Sequence, residues 1–242
     1  MEYCWLCKRD TSMVNENINY PFYYFYNLKF DSNKILDFIE NKMTEKNWIG
    51  SGYFRGVRQP YEDHVDEGKL WTANDAFFAD RKDVPSLSRQ ASSNNLEKIG
   101  KTLTDFTQCN ELVDIMNYFY YKDKPLFQGM LIKKSIKNYK VPFHPIMQNV
   151  EFEKRHNINR TFDIIVPIQG GFIESPLEAI DTKTNNHYVL KPKGLAFMIP
   201  NDASWHYSWC ETKFDFRYTF HLRGFMPNTY QKMRQIYDSR NS

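Results

Sequence analysis

No stretch of this 242-residue chain comes near the roughly 20 consecutive apolar residues needed to cross a bilayer, which excludes a spanning helix on sequence grounds. No basic segment followed by an apolar run opens the chain, so a secretory leader is not expected. Cysteine is scarce: Cys4, Cys7, Cys109 and Cys210 are too few and too scattered to staple a domain of this size. That places the protein in a reducing compartment, and a soluble cytoplasmic protein is the expectation. Charge of one sign is also lacking. A net charge of +3 falls short of the dense Lys and Arg face that a dedicated nucleic-acid binder carries. Neither a membrane nor a nucleic acid is indicated as a partner. Internal repeats and low-complexity tracts are absent.

What is abundant is aromatic. Sixteen Tyr and 19 Phe lift the aromatic share to 17%, and these side chains suit pleated, half-buried surfaces. Hydrophobic residues at 41% are enough for a sizeable core. The richness in Asn, Lys, Ile and Tyr is the kind of coding bias an AT-rich viral genome produces, which would put the chain in the cytoplasm of an infected host cell.

Along the chain, residues 1–19 form a polar segment outside the core, with Cys4-x-x-Cys7 only half of a zinc site. Residues 20–125 form a helix-rich supporting half. Tyr20 to Phe30 reads as an aromatic strand. Asp31 or Ser32 caps a helix from Asn33 to Lys46, whose Ile35, Leu36, Phe38, Ile39 and Met43 share one face. Asp80 to Glu97 has the composition of a long loop. A further helix covers part of Leu96 to Tyr121, burying Leu103, Phe106, Leu112, Ile115, Met116 and Phe119.

After Pro125 the texture changes. About eight short extended runs alternate with turns: Leu126–Ile136, Tyr139–His144, Val150–Glu153, Thr161–Gln169, Gly171–Ile173, His187–Leu190, Leu195–Ile199 and Phe214–Leu222. That spacing signals a β-sandwich or barrel over residues 126–225. Residues 226–242 supply a terminal helix. The fold class is α+β, mainly β, with helices packed on the outside of one β unit in a single domain over 20–242. Lys133, Lys134, Lys137 and Lys140 read as the solvent face of a strand.

Within the β half, Gly194 to His206 runs glycine, apolar residues, Pro200 and then a histidine, and Val141 to Glu151 (VPFHPIMQNVE) carries His144 and Glu151. These segments resemble the two motifs of the cupins. The order VPFHP, then WHYSW, then FRYTF resembles the Fe(II)/2-oxoglutarate-dependent oxygenases, which share that double-stranded β-helix, or jelly roll. The resemblance covers roughly Leu126 to Phe225. It implies Fe(II) held by His144 and His206 with Glu151 (or, less favoured, Asp163) or water in the third place, and 2-oxoglutarate anchored by Arg217 and Thr219. It also implies hydroxylation of a substrate as the cosubstrate is decarboxylated. Trp205 and Trp209, with the loop around Ser86 to Asn95, would shape the substrate entrance. The family's usual His-x-Asp carboxylate falls on Ile146, which cannot bind metal. The aspartyl/asparaginyl hydroxylase branch keeps two histidines and water in such a place. The substrate class, whether protein side chain, nucleobase or small molecule, is not selected.

Two other readings remain at this point. One is a non-catalytic jelly roll, either a binding module or a structural subunit of an assembly such as a virion. The other is a cupin-type metal enzyme using His144, Glu151 and His206 without 2-oxoglutarate. His206 among Trp205, Tyr207 and Trp209 also fits a packed aromatic cluster. Arg217, between Phe216 and Tyr218, must be paired or hold an anion, because burying a lone guanidinium is costly; Asp215 and Glu211 are the candidate internal partners.

Overall fold

The computed structural model describes residues 3–4, 9–10, 23–25, 27–50, 68–79, 93–145, 162–169, 177–181, 183–190, 196–200, 205–209, 212–225 and 229–241. The expected strands at Val150–Glu153 and Gly171–Ile173, and residues 86–92 of the expected entrance loop, lie outside the described residues. Among the described residues, no helix is long and apolar enough to cross a membrane.

The first half brings both strands and helices. β1 (Tyr3–Cys4) pairs with β2 (Arg9–Asp10), and β3 (Tyr23–Tyr24) is the part of the aromatic run that joins a sheet. Helix α1 (Ser32–Lys42) starts where expected, because the Asp31 carboxylate accepts from the Asn33 backbone N–H at 3.0 Å. It ends at Lys42, four residues before the expected Lys46, and Met43 turns extended. β4 (Ile49–Gly50), β5 (Leu70–Asn74) and the short α2 (Ala76–Ala79) follow.

Two helices occupy the region of the expected second helix: α3 (Ser93–Lys98) and α4 (Asn110–Tyr118). Gly100 breaks the path with a φ of 69°, a left-handed conformation that glycine adopts without strain. Asp105 then caps a separate turn by accepting from Thr107. Leu112, Ile115, Met116 and Phe119 are buried as expected. β6 (Tyr120–Tyr121) and β7 (Lys124–Pro125) close a tight hairpin through Lys122 and Asp123, both at positive φ.

Eight antiparallel strands follow: β8 (Gly129–Ile136), β9 (Val141–Pro145), β10 (Phe162–Gln169), β11 (Leu177–Asp181), β12 (Asn186–Leu190), β13 (Phe197–Pro200), β14 (Trp205–Trp209) and β15 (Phe216–Gly224). α5 (Thr229–Asn241) ends the described chain. One sheet runs β3-β13-β10-β15-β8-β5-β4 and the other β12-β11-β14-β9. The chain therefore crosses between sheets repeatedly, and the last strand, β15, slots between β8 and β10 in the larger sheet. Only residues 137–140 join β8 to β9, a reach of about 17 Å at full extension, so the end of β8 in one sheet and the start of β9 in the other lie no farther apart than that. β11 and β14 were not among the expected strands. β5 was not expected to extend the sheet, and it pairs with β8 from Leu70 to Asn74.

The larger sheet is buried on both faces. Toward the helices it presents Met130, Ile132, Phe162, Ile164, Val166, Tyr218, Phe220 and Leu222. These pack with Ile35 and Ile39 of α1, Leu112 and Ile115 of α4, and Met233 and Ile236 of α5 in one apolar core. Phe106 meets Phe220 edge to face at 5.6 Å between centroids. The other face carries the polar side chains described next.

Candidate functional site

Side chains alternate across a strand, so FRYTFHLRG of β15 separates into two rows. Phe216, Tyr218, Phe220 and Leu222 enter the apolar core. Arg217, Thr219, His221 and Arg223 form the opposite row, facing away from the helices. Arg217, Thr219 and His221 are nonetheless buried, at 4%, 3% and 0% exposure.

The register assigns their neighbours. On β8, Ser135 stands opposite Arg217, Lys133 opposite Thr219 and Leu131 opposite His221. On β10, Pro167 stands opposite Thr219, Ile165 opposite His221 and Asp163 opposite Arg223. β5 extends the same face, with Thr72 opposite Lys133 and Asn74 opposite Leu131. Directly opposed residues share a face. The larger sheet thus carries a polar surface on which Arg217, Thr219, His221, Ser135, Asn74 and Asp163 are buried and Lys133 is partly exposed.

Three of these groups form a chain. Asp163 Oδ1 lies 3.4 Å from His221 Nδ1, and His221 Nε2 lies 2.9 Å from Thr219 Oγ1. The other oxygen of Asp163 lies 3.5 Å from Arg223 Nε. Burial pushes His221 down to about 3, and the Lys133 charge adds to that; the Asp163 carboxylate opposes it without prevailing. His221 is therefore neutral near pH 7. A carboxylate held beside Arg223 only accepts, so His221 Nδ1 carries the ring proton and donates to Asp163. Nε2 is then bare, and the Thr219 hydroxyl donates to it.

Arg217 and Thr219, picked out in the sequence, thus stand on one buried face two residues apart. His144 lies in β9 and His206 in β14, and these strands are paired. His206 stands opposite Pro145 and His144 opposite Tyr207, a one-residue offset. Since opposed positions share a face and successive ones alternate, positions 144 and 206 fall on alternate faces of the smaller sheet. Trp205 and Trp209 occupy the two ends of β14, opposite Asp181 and Leu177 of β11. Glu151 and the side chains of His144, Trp205, His206 and Trp209 lie outside the described residues. Among the described residues, no three His, Cys, Asp or Glu side chains converge as a metal site would require. Beside His206 in register are Ile180 and then His187, whose Nε2 lies 3.4 Å from Glu178 Oε2; Lys140 Nζ meets the same oxygen at 3.0 Å.

The lysines need correcting. Lys133 and Lys134 are adjacent in a strand whose two faces are both covered, so neither joins a solvent face. Lys133 lies on the polar face. Lys134 lies on the opposite one, half-buried, its ammonium 4.0 Å from the Phe216 centroid and within 5.6 Å of those of Trp48 and Trp71. Lys140 pairs with Glu178, and Lys137 alone is exposed. His221 also went unnoticed in the sequence, and Asp163 was considered there only as a less favoured metal carboxylate. The signal for His221 was present: polar residues at 217, 219, 221 and 223 alternate with apolar ones, so a reading that stopped at Arg-x-Thr cut the row short.

No family model and no curated protein matches the chain. Among solved structures it is similar to a 2OG-Fe(II) oxygenase family oxidoreductase from Burkholderia pseudomallei (7% identity, covering 82% of this chain and 92% of that one, TM-score 0.35). It is also similar to a prolyl hydroxylase from Trichoplax adhaerens in complex with a hypoxia-inducible-factor oxygen degradation domain peptide fragment (10%, 87% and 86%, TM-score 0.46). A third is a prolyl-4-hydroxylase from Pseudomonas putida (7%, 85% and 92%, TM-score 0.43).

Proposed function

We propose that the chain is a double-stranded β-helix protein acting as a Fe(II)/2-oxoglutarate-dependent oxygenase. Eight successive antiparallel strands divided between two sheets, with the first beside the last, support the jelly-roll reading. The observation that carries the functional reading is the buried Arg217, on the inner row of the last strand in line with Thr219. A guanidinium in that setting suits the planar, two-point grip that a carboxylate offers. Lys133, diagonal to it on β8, adds positive charge beside it, and Asp163, which supplies the one negative charge among the described groups of that row and its direct partners, is paired with Arg223 at the far end of the strand.

The residues present therefore fit the far carboxylate of 2-oxoglutarate. For the metal, His144, His206 and Glu151 are the proposed ligands, in accord with the order of the motifs. When bound, Fe(II) would couple decarboxylation of the cosubstrate to oxidation of the substrate. The protein's own contribution is to orient the dicarboxylate from Arg217, which is itself buried beside Thr219 and His221. Trp205 and Trp209, at the two ends of β14, are proposed to border the substrate entrance. The substrate is unassigned, and a cytoplasmic setting is part of the proposal.

The test is an anaerobic titration of Fe(II) with and without 2-oxoglutarate, read by the charge-transfer absorbance of the chelate. The expected result is a band that needs both components. Arg217→Ala should weaken 2-oxoglutarate binding at least about 30-fold while leaving metal binding intact, since a buried charge-assisted contact is lost. Absence of both the band and retained metal would sink the oxygenase reading. Arg217→Ala binding the cosubstrate like the wild type would sink the anchor.

One observation favours a second reading. Because positions 144 and 206 fall on alternate faces of the smaller sheet, a carboxylate-binding jelly roll without a metal centre accords with the register. It predicts Arg217-dependent binding of 2-oxoglutarate with no chelate band.

A further inference from the structure

We infer that Lys133, and not Thr219, is the second group that meets the carboxylate held by Arg217; the inference rests on the anchoring role proposed for Arg217. It begins from the direction of one proton. Thr219 has a single hydroxyl hydrogen, and its oxygen lies 2.9 Å from His221 Nε2. That nitrogen must accept, because the ring proton sits on Nδ1, where Asp163 Oδ1 takes it at 3.4 Å. The tautomer is held from behind by the Asp163 carboxylate, whose other oxygen lies 3.5 Å from Arg223 Nε. Thr219 thus offers a ligand only lone pairs. A carboxylate has only lone pairs too, so the two repel.

Lys133 has the opposite character. It stands directly opposite Thr219 on β8, between Thr219 and Thr72, on the face that carries Arg217. Arg217 is opposite Ser135, two residues along the same strand, which makes Lys133 and Arg217 diagonal neighbours about 7–8 Å apart at the backbone. Two long cationic side chains at that spacing can converge on one carboxylate. The Lys133 charge is felt at the buried His221 ring, so the ammonium lies near this row. Among the described residues, the charged groups that act on His221 are Lys133 from β8, Asp163 from β10 and Arg223 from its own strand. The Asp163–His221–Thr219 chain acts as a positioning device. It turns Thr219 into an acceptor, so that a ligand meets cations on the Arg217 and Lys133 side and an acceptor on the Thr219 side. A ligand with a carboxylate at the first and a hydroxyl or water at the second satisfies both.

The test is calorimetric titration of 2-oxoglutarate into the full chain, with thermal midpoints recorded for every variant. Lys133→Met removes the charge and keeps the stem; it should weaken binding about 10- to 100-fold. Lys133→Arg should recover affinity to within about threefold, which a merely structural lysine would not require. Thr219→Val should cost less than about threefold, since its hydroxyl makes no donation to the ligand. The nitrogen-15 shifts of His221 should report a neutral ring protonated at Nδ1 in the free protein. A larger loss from Thr219→Val than from Lys133→Met, or a ring protonated at Nε2, overturns the inference. So does a Lys133→Met variant that binds within twofold of wild type. If wild type binds 2-oxoglutarate and Arg217→Met abolishes it while Lys133→Met does not weaken it, the anchor stands and only the role of Lys133 falls. If wild type binds no 2-oxoglutarate at millimolar concentration, the anchor fails and the inference falls with it.

Discussion

His221 shows how much a single side chain can commit in a fold of this kind. It is fully buried, and burial lowers its proton affinity to about 3, against 6.5 in an unfolded chain. Below pH 6.5 the unfolded chain takes up a proton that the folded one refuses. Stability is therefore whole above about pH 6.5 and is lost as pH falls toward 3. The slope approaches about 1.4 kcal/mol per pH unit in that window. Urea unfolding at pH 6.5 and pH 4.5 should show a loss of roughly 2 kcal/mol in wild type that His221→Asn does not share. Equal losses in the two proteins would mean that the ring is charged when folded. At this scale the sequence was partly legible. Arg217 and Thr219 announced themselves by their spacing. The pairing of Asp163 with His221 did not, because the two lie 58 residues apart and only strand pairing brings them together.

Strand β15 is the element on which both halves of the protein depend. One of its faces completes the apolar core and the other carries the polar row. Its alternation was visible in FRYTFHLRG, and so was its strand character. Its place between β8 and β10 was not, because that place depends on partners 80 or so residues upstream for β8 and about 55 for β10. The end of the strand is set by close packing. Gly224 lies opposite Phe162, and a Cβ there would meet the ring at Cζ, 2.6 Å away. Gly224→Ala should therefore destabilise by about 1–3 kcal/mol, measured as a lower thermal midpoint. Phe162→Leu in the same chain should recover part of it by vacating the ring's space. β11 and β14 were hidden for a related reason. LEAID breaks the regular apolar and polar alternation of a half-exposed strand, and WHYSW, which does alternate, also fits a packed aromatic cluster; their pairing with each other defines both.

At the scale of the whole molecule, the larger sheet is a wall with an apolar side and a polar side, and stability and site are built on opposite faces of it. Phe220, at 0% exposure, contacts Phe106 on the helix side. Phe220→Ala should cost about 3–5 kcal/mol and lower the unfolding midpoint seen by every probe together. A loss under 1 kcal/mol would show that the helices and the sheet do not share one core.

What the sequence determined by itself was local. Aromatic abundance and short, regularly spaced apolar runs specified a mostly β protein, and Asp31 specified where α1 begins. The period-two rhythm of residues 216–224 specified that Arg217 and Thr219 share a face. These follow from side-chain shape and backbone preference within a few residues. Only the tertiary structure decided that β15 lies beside both β8 and β10, that Lys133 faces the same side as Arg217 while Lys134 faces the other, and that Asp163 reaches His221. The physical reason is that a strand's hydrogen-bonding edges and its second face are satisfied by segments distant in the chain. Which cation approaches Arg217, and which way the Thr219 hydroxyl turns, are properties of register across strands, and register belongs to pairs of segments.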